Sequence, residues 1–120
     1  MKYTFTLFFA ICISLSSIAQ INIQTTAESS NYTKTSTYEE MRDFVKKLDD
    51  SSDILRIEKI AESTEGRDII TLIVANPMIN SYKDAINDKR VIVYIQANIH
   101  AGEVEGKEST QMLARHLVNN

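Results

Sequence analysis

The feature that most constrains the fold of this chain is a continuous apolar run at residues 91–95, Val-Ile-Val-Tyr-Ile. Such a run, rich in β-branched side chains, is typical of a strand that is covered on both faces. It predicts a buried strand over residues 91–98. Further along, side chains at helical spacing predict an amphipathic helix with one face made of Thr110, Leu113, Ala114, Leu117 and Val118. The stretch between this strand and this helix should lie at the carboxyl edge of a sheet, where open α/β sheets usually hold their ligands.

An earlier helix is predicted from its start signal and its apolar face. Thr37 and Glu40 fit a capping box, in which each side chain bonds the backbone amide of the other residue. Apolar side chains then recur every three or four residues, at Tyr38, Met41, Phe44, Val45 and Leu48. The helix should end within residues 49–53, where short polar side chains compete for backbone hydrogen bonds.

A β-hairpin is predicted next. Residues 54–63 and 68–76 have strand character, and Glu65-Gly66-Arg67 between them is part of a turn signal. Residues 78–90 are predicted to be a polar loop with a possible short helix. Together these elements predict the α/β class, as the N-terminal part of a mixed-sheet domain. Because they leave much apolar surface uncovered, we expect the domain to be incomplete in this chain.

The N-terminus has the layout of a secretory signal peptide. Lys2 precedes an apolar core at residues 7–13, and Ser17 and Ala19 fit positions −3 and −1 of a cleavage site. We therefore assign residues 1–19 to a signal peptide, with a membrane anchor as the alternative. A secreted or periplasmic protein is expected, with no stable membrane insertion after cleavage.

The segment that follows, residues 20–37, is called the leader below. It is polar and rich in Ser and Thr, which predicts an extended segment with little core of its own, ahead of a folded portion at residues 38–120. The formal net charge of −3 and the lack of a basic cluster argue against nucleic acid as a partner.

The chemistry of the chain is concentrated in an H-x-x-E pair, His100 and Glu103. Imidazole nitrogen and carboxylate oxygen both suit zinc, and a catalytic zinc site has three protein ligands and one open position. The pair could therefore supply two of three ligands. Two structural alternatives remain open: Glu103 could pair with Lys107 one helical turn away, and His100 could be a hydrogen-bonded residue at a strand end.

Three further side chains are expected not to be ligands. Glu105 and Glu108 lie near the predicted helix start, where the helix dipole favours negative charge. His116 could in principle complete a zinc site with His100 and Glu103, but it flanks the apolar stripe of the helix and is expected in solvent.

Taken in order, the Glu65-Gly66-Arg67 turn, its strand, a second strand ending in H-x-x-E and a helix resemble the N-terminal third of the M14 family of zinc carboxypeptidases. The likeness runs from about Tyr38 to the C-terminus, and His100 and Glu103 match the first two zinc ligands of the family. The resemblance implies one Zn²⁺ ion and a peptide substrate. It also implies peptide-bond hydrolysis in which the metal polarises the scissile carbonyl and activates water.

The rest of the family's machinery is a second histidine ligand, a glutamate general base and substrate-binding arginines. The resemblance places all of these beyond Asn120, so we expect an inactive fragment that contains no catalytic residue. Gly102 stands where the digestive members have an arginine that helps to bind substrate, so substrate contacts should differ there. Arg67 is interpreted as a structural residue of its turn.

Two other functions stay open at this point. A zinc amidohydrolase that deacylates small amino-acid derivatives would use the same H-x-x-E pair of zinc ligands on a similar fold. A non-catalytic exported binding module could keep the scaffold without the reaction. The sequence does not indicate an oligomeric state.

Overall fold

The computed structural model describes residues 20–120, so the predicted signal peptide at residues 1–19 lies outside the described part of the chain. The described elements are α1 (Thr26–Ser29), α2 (Tyr38–Asp49), β1 (Leu55–Glu62), β2 (Asp68–Val74), α3 (Tyr82–Asn87) and α4 (Val104–Val118). The fold is a small α/β arrangement around a two-stranded antiparallel sheet. Across residues 20–120, no helix has the length and apolar character needed to span a bilayer.

The predicted capping box starts α2. The Thr37 hydroxyl accepts from the Glu40 amide at 3.2 Å, and the Thr37 amide donates to the Glu40 carboxylate at 2.7 Å. The apolar face is also confirmed, because Phe44, Val45 and Leu48 are buried. The helix ends at Asp49, within the polar stretch predicted to stop it.

The predicted hairpin is confirmed, with Leu55 opposite Val74 and Ile57 opposite Leu72. Gly66 in the connecting turn has a φ of +76°, a conformation that residues with a Cβ rarely adopt. The Arg67 guanidinium pairs with the Glu65 carboxylate at 2.6 Å and lies 5.8 Å from the centre of the Tyr38 ring. These contacts fit a structural role for Arg67.

The core lies where α2, one face of the hairpin and α4 meet. Because side chains alternate along a strand, Leu55, Ile57 and their partners on β2 point to the same side. The buried members of the core are Phe44, Val45, Leu48, Leu55 and Ala114. α4 is thereby fixed against the rest of the chain by its middle turns.

The strand predicted over residues 91–98 is not formed among residues 20–120. This segment has no strand partner there, and the side chains of residues 91–95 are exposed. A strand is defined by backbone pairing with a neighbour, and the described hairpin does not extend to this segment. The loop before it does contain the predicted short helix, α3.

The leader differs from the extended conformation predicted for it. Thr25 caps α1 through a second capping box with Glu28, and the leader contributes buried Thr25, Ala27 and Ser36. Ile21 and Ile23 pack against the core cluster. Part of the reason is local, since the capping box that starts α1 lies within the leader itself. The other part is tertiary, since polar groups on α4 bond Ile21 and Ser36 of the leader.

The capping box gives a direct test of the start of α2. Thr37→Ala removes the hydroxyl that accepts from the Glu40 amide, so we expect the free energy of unfolding to fall by about 1 kcal/mol. Thr37→Ser keeps the oxygen and is the matched control. Urea denaturation of the three proteins measures the difference, and an equal loss in both variants would mean that the hydroxyl does not cap the helix.

Candidate metal centre

The segment that leads to His100 turns sharply before α4. Asn98 has a φ of +58°, in the left-handed region that asparagine tolerates better than most residues. Its side-chain amide donates to the His100 carbonyl at 3.3 Å, and the Glu103 amide donates to that same carbonyl at 3.0 Å. This double anchoring of one carbonyl holds residues 100 and 103 on the same side of the turn.

Glu103 occupies the N-cap position of α4 but does not cap the helix. Its side chain makes no hydrogen bond to the backbone of the first turn. Ser, Thr, Asp and Asn are the usual residues at an N-cap, where they stabilise a helix by about 1 kcal/mol relative to alanine. The helix start therefore lacks the stability that a capping side chain would contribute, and the Glu103 carboxylate contacts His100 instead.

The two predicted ligands are brought together. Nδ1 of His100 lies 2.9 Å from Oε1 of Glu103, and the side chains are 79% and 57% exposed. Two ligands bound to a tetrahedral zinc ion would be about 3.4 Å apart. Both side chains are exposed, so a small rotation separates their donor atoms by the remaining half ångström or so. The pair fits two positions of a zinc site.

No third ligand joins them in the part of the chain that the structure describes. Residues 20–120 contain no group of three or more His, Cys, Asp or Glu side chains arranged to hold a metal. His116 is exposed and lies near the end of α4, where its Nδ1 is 3.3 Å from the Asn120 amide. It lies twelve positions after Val104, about 18 Å along the helix axis. Its predicted solvent position is confirmed.

The alternative pairing of Glu103 with Lys107 is not formed. The Lys107 ammonium donates instead to the carbonyl of Ser36, in the leader. Glu105 lies in the first turn of α4, as expected from the helix dipole. Sequence reasoning placed Glu108 in the same role, and the structure gives it a different one.

Glu108 is buried, and one of its oxygens anchors the leader. Oε1 accepts from the Ser36 amide and the Ser36 hydroxyl, both at 2.6 Å, and from the Thr35 hydroxyl at 2.8 Å. Burial alone would raise the pKa of Glu108, but these hydrogen bonds outweigh it and hold the pKa below its ordinary value. The buried face of α4 is consequently polar at Glu108 and Gln111, and the predicted stripe residues Leu113 and Leu117 are partly exposed.

Further along α4, Arg115 and Asn119 hold the start of the leader. The Arg115 guanidinium forms two hydrogen bonds with the Glu28 carboxylate, at 2.6 and 2.7 Å. The side chain of Asn119 accepts from the Ile21 amide at 2.8 Å and donates to the Ile21 carbonyl at 3.0 Å. The leader thus contacts both halves of α4, the helix whose N-cap is Glu103.

Gly106 lets residues 97 and 98 approach α4 closely. A Cβ at this position would lie 3.2 Å from the Cβ of Ala97 and 3.7 Å from its Cα. The missing side chain therefore brings residues 97 and 98 against the first turn of the helix. This contact, which the sequence did not predict, sets the distance from which His100 reaches Glu103.

A groove lies beside the pair. It has a volume of about 360 Å³ and runs between residues 95–99 and α4, with Glu103 in its wall. The apolar part of its lining includes Ile95, Ala97, Ile99 and Leu113. An extended apolar side chain or backbone segment could lie there next to the carboxylate.

The model of the zinc carboxypeptidase family, peptidase M14, matches residues 41–120. The match starts inside α2 and covers the hairpin, His100, Glu103 and α4. The chain therefore belongs to the zinc carboxypeptidase family, as its motifs suggested. No curated protein and no solved structure matches the chain significantly.

The ion pair between Glu28 and Arg115 predicts that the free energy of unfolding falls in acid. Hydrogen bonds from Arg115 are the largest cause that lowers the pKa of Glu28, from 4.5 to about 2. A pKa that is lower in the folded state stabilises the fold above pH 4.5, and this contribution is lost as the pH falls towards 2. We expect Glu28→Gln to lower the free energy of unfolding at neutral pH by about 1.5–3 kcal/mol.

Urea denaturation between pH 2 and 7 measures the contribution of Glu28 to the free energy of unfolding. Glu28→Gln should have a flatter pH dependence than the wild type in the acid range, whereas Glu39→Gln, on the exposed side of α2, should follow the wild type. An unchanged acid slope in Glu28→Gln would show that the ion pair with Arg115 is not formed.

Proposed function

We propose that this chain carries two zinc ligands, His100 and Glu103, of an exported metallocarboxypeptidase that hydrolyses peptide bonds. The single observation that supports this most strongly is the 2.9 Å approach of His100 Nδ1 to a carboxylate that stands at an N-cap without capping its helix. The pair also lies inside the match to the zinc carboxypeptidase family. Residues 1–19 are proposed to direct export before the domain at residues 38–120 folds.

The roles of this chain's own residues follow from their positions. His100 and Glu103 hold the ion, and the turn through Asn98 and the contact at Gly106 keep their donor atoms on one side. When bound, zinc in such a site supplies polarisation of a carbonyl and activation of water. The groove beside Glu103 offers an apolar wall against which a peptide can lie.

The isolated 120-residue chain is proposed to be inactive. The sequence contains two histidines, and His116 is far from the pair along α4. A catalytic zinc site needs a third protein ligand and a base near the water. We propose that polypeptide outside these 120 residues supplies both, and that two ligands alone give weak zinc binding.

Zinc titration followed by the NMR signals of the two histidine rings tests the ligand assignment. We expect the His100 ring signals to shift on addition of Zn²⁺ while those of His116 stay in place. His100→Ala and Glu103→Gln should each weaken zinc binding at least tenfold, and His116→Ala, the matched control, should not. Equal binding by wild type and His100→Ala would refute the assignment.

Assay of peptide hydrolysis by the same preparation tests the claim of inactivity. We expect no turnover that depends on zinc and is abolished by a chelator. Tight stoichiometric zinc binding together with turnover would overturn this part of the proposal and leave the ligand assignment intact.

A further inference from the structure

Glu108, on the buried face of α4, is bonded to the residue that precedes the N-cap of α2. Its carboxylate accepts from the amide and the hydroxyl of Ser36, and Thr37 follows Ser36 as the N-cap. Both Glu108 and Ser36 are buried. The contact therefore joins the first half of α4 directly to the start of another helix.

Ser36 directs all of its polar groups at α4. Besides its two bonds to Glu108, its carbonyl accepts from the Lys107 ammonium, and its hydroxyl accepts from the Gln111 amide at 3.1 Å. Hydrogen bonds weaken steeply when they leave their preferred directions. Bonds from three positions of the helix to one residue therefore fix the rotation of α4 about its axis as well as its displacement along the axis.

Glu108 is close enough to Glu103 along the helix to control where the Glu103 carboxylate lies. Five positions separate the two residues, which is about 7.5 Å along the axis. The apolar contact at Ala114 holds the middle of α4 in place, but apolar contacts are non-directional. The hydrogen bonds at Glu108 add the fixed rotation that an apolar contact does not supply.

A small rotation of α4 would matter at a metal site. A side-chain end lies about 5–6 Å from the helix axis, so a rotation of roughly 10° displaces it by about 1 Å. Metal–ligand distances are fixed to within about 0.2 Å. The rotation of α4 is therefore a property on which a ligand at its N-cap depends.

Stability alone does not account for a carboxylate at this buried position. Within residues 20–120, the second oxygen of Glu108, Oε2, is buried and has no hydrogen-bond partner. An unpaired buried acceptor costs stability, and apolar side chains often replace buried charged groups without loss. What the carboxylate supplies at this position is direction, through its bonds to Ser36.

The same contact keeps a competing cation away from Glu103. Lys107 lies four positions after Glu103, the spacing at which a glutamate and a lysine pair on a helix. Its ammonium is held by the Ser36 carbonyl and lies 3.8 Å from Oε1 of Glu108. Pairs at this spacing change an equilibrium by about twofold at most, so the fixed rotation is the larger effect.

We propose that Glu108 is a positioning residue for the metal site. Its bonds to Ser36 hold the first turns of α4 at the rotation that places the Glu103 carboxylate beside His100. This inference rests on the proposed function, because it treats Glu103 as a zinc ligand. Its test therefore includes a measurement made without metal.

Nitrogen NMR of the His100 ring, in protein kept free of metal by a chelator, tests the positioning directly. Glu103→Ala gives the signals of a His100 ring that lacks its carboxylate partner. Glu108→Leu removes every acceptor at this position and should move the His100 signals at least halfway towards that reference. Glu108→Gln keeps an oxygen that accepts the bonds from Ser36, so its His100 signals should stay close to those of the wild type.

Glu28→Leu is the matched control, because it breaks a contact between the leader and the other half of α4. It should leave the His100 signals in place, and a shift as large as that of Glu108→Leu would refute a specific role of Glu108. Far-ultraviolet circular dichroism checks that the helices are kept. Ser36→Ala removes one donor to Glu108 and should give a smaller shift in the same direction, which provides a second test if Glu108→Leu does not fold.

Zinc affinity is the second readout. Glu108→Leu should bind zinc roughly three- to tenfold more weakly than the wild type, and Glu108→Gln should bind it like the wild type. Unchanged His100 signals in Glu108→Leu would overturn the positioning role and leave the ligand assignment intact. Zinc binding by His100→Ala at wild-type strength would instead overturn the ligand assignment, while the signals of the metal-free protein still decide whether Glu108 positions Glu103.

Discussion

The burial of one face of α2 is the interaction on which the rest of this chain depends. Leu48 is fully buried, and it shares a cluster with Phe44, Val45 and Leu55 that joins α2 to the hairpin. Ala114 adds α4 to the same cluster. Burial of such side chains contributes about 1.5–3 kcal/mol each, more than any exposed ion pair here can. Once α4 is held by its middle, the position of its first residue is decided.

The proposed metal ligands, His100 and Glu103, lie at a turn where several local features cost stability. Glu103 stands at a helix start without capping it, and Asn98 adopts a left-handed conformation. Gly106 replaces a better helix former and thereby admits Ala97 against the helix. Each feature alone is mildly unfavourable, and together they place an imidazole beside a carboxylate. Unfavourable local features that cluster at one turn are common at functional sites, and they support the proposal of a metal site here.

How well the sequence predicted each element depended on how local its causes were. The capping box of Thr37 and Glu40 and the turn at Gly66 involve residues at most a few positions apart, and both formed as predicted. The prediction that Glu108 only serves the helix dipole was wrong, because its partners Ser36 and Thr35 lie more than 70 positions away. The prediction for the leader was wrong partly for the same reason, since α4 bonds Ile21 and Ser36, and partly because the local capping box of Thr25 and Glu28 was overlooked. Residues 91–98 have strand composition, but a strand also needs a neighbour.

The sequence by itself determined α2, the hairpin, α4 and the family, because periodicity, capping residues, turn residues and the H-x-x-E spacing are short-range properties of the chain. Tertiary structure alone decided that His100 and Glu103 face each other, that the leader binds along α4, and that the most apolar segment remains exposed. These outcomes depend on which distant groups meet, since a buried polar atom or an apolar strand is stabilised only by the partner that packing brings to it.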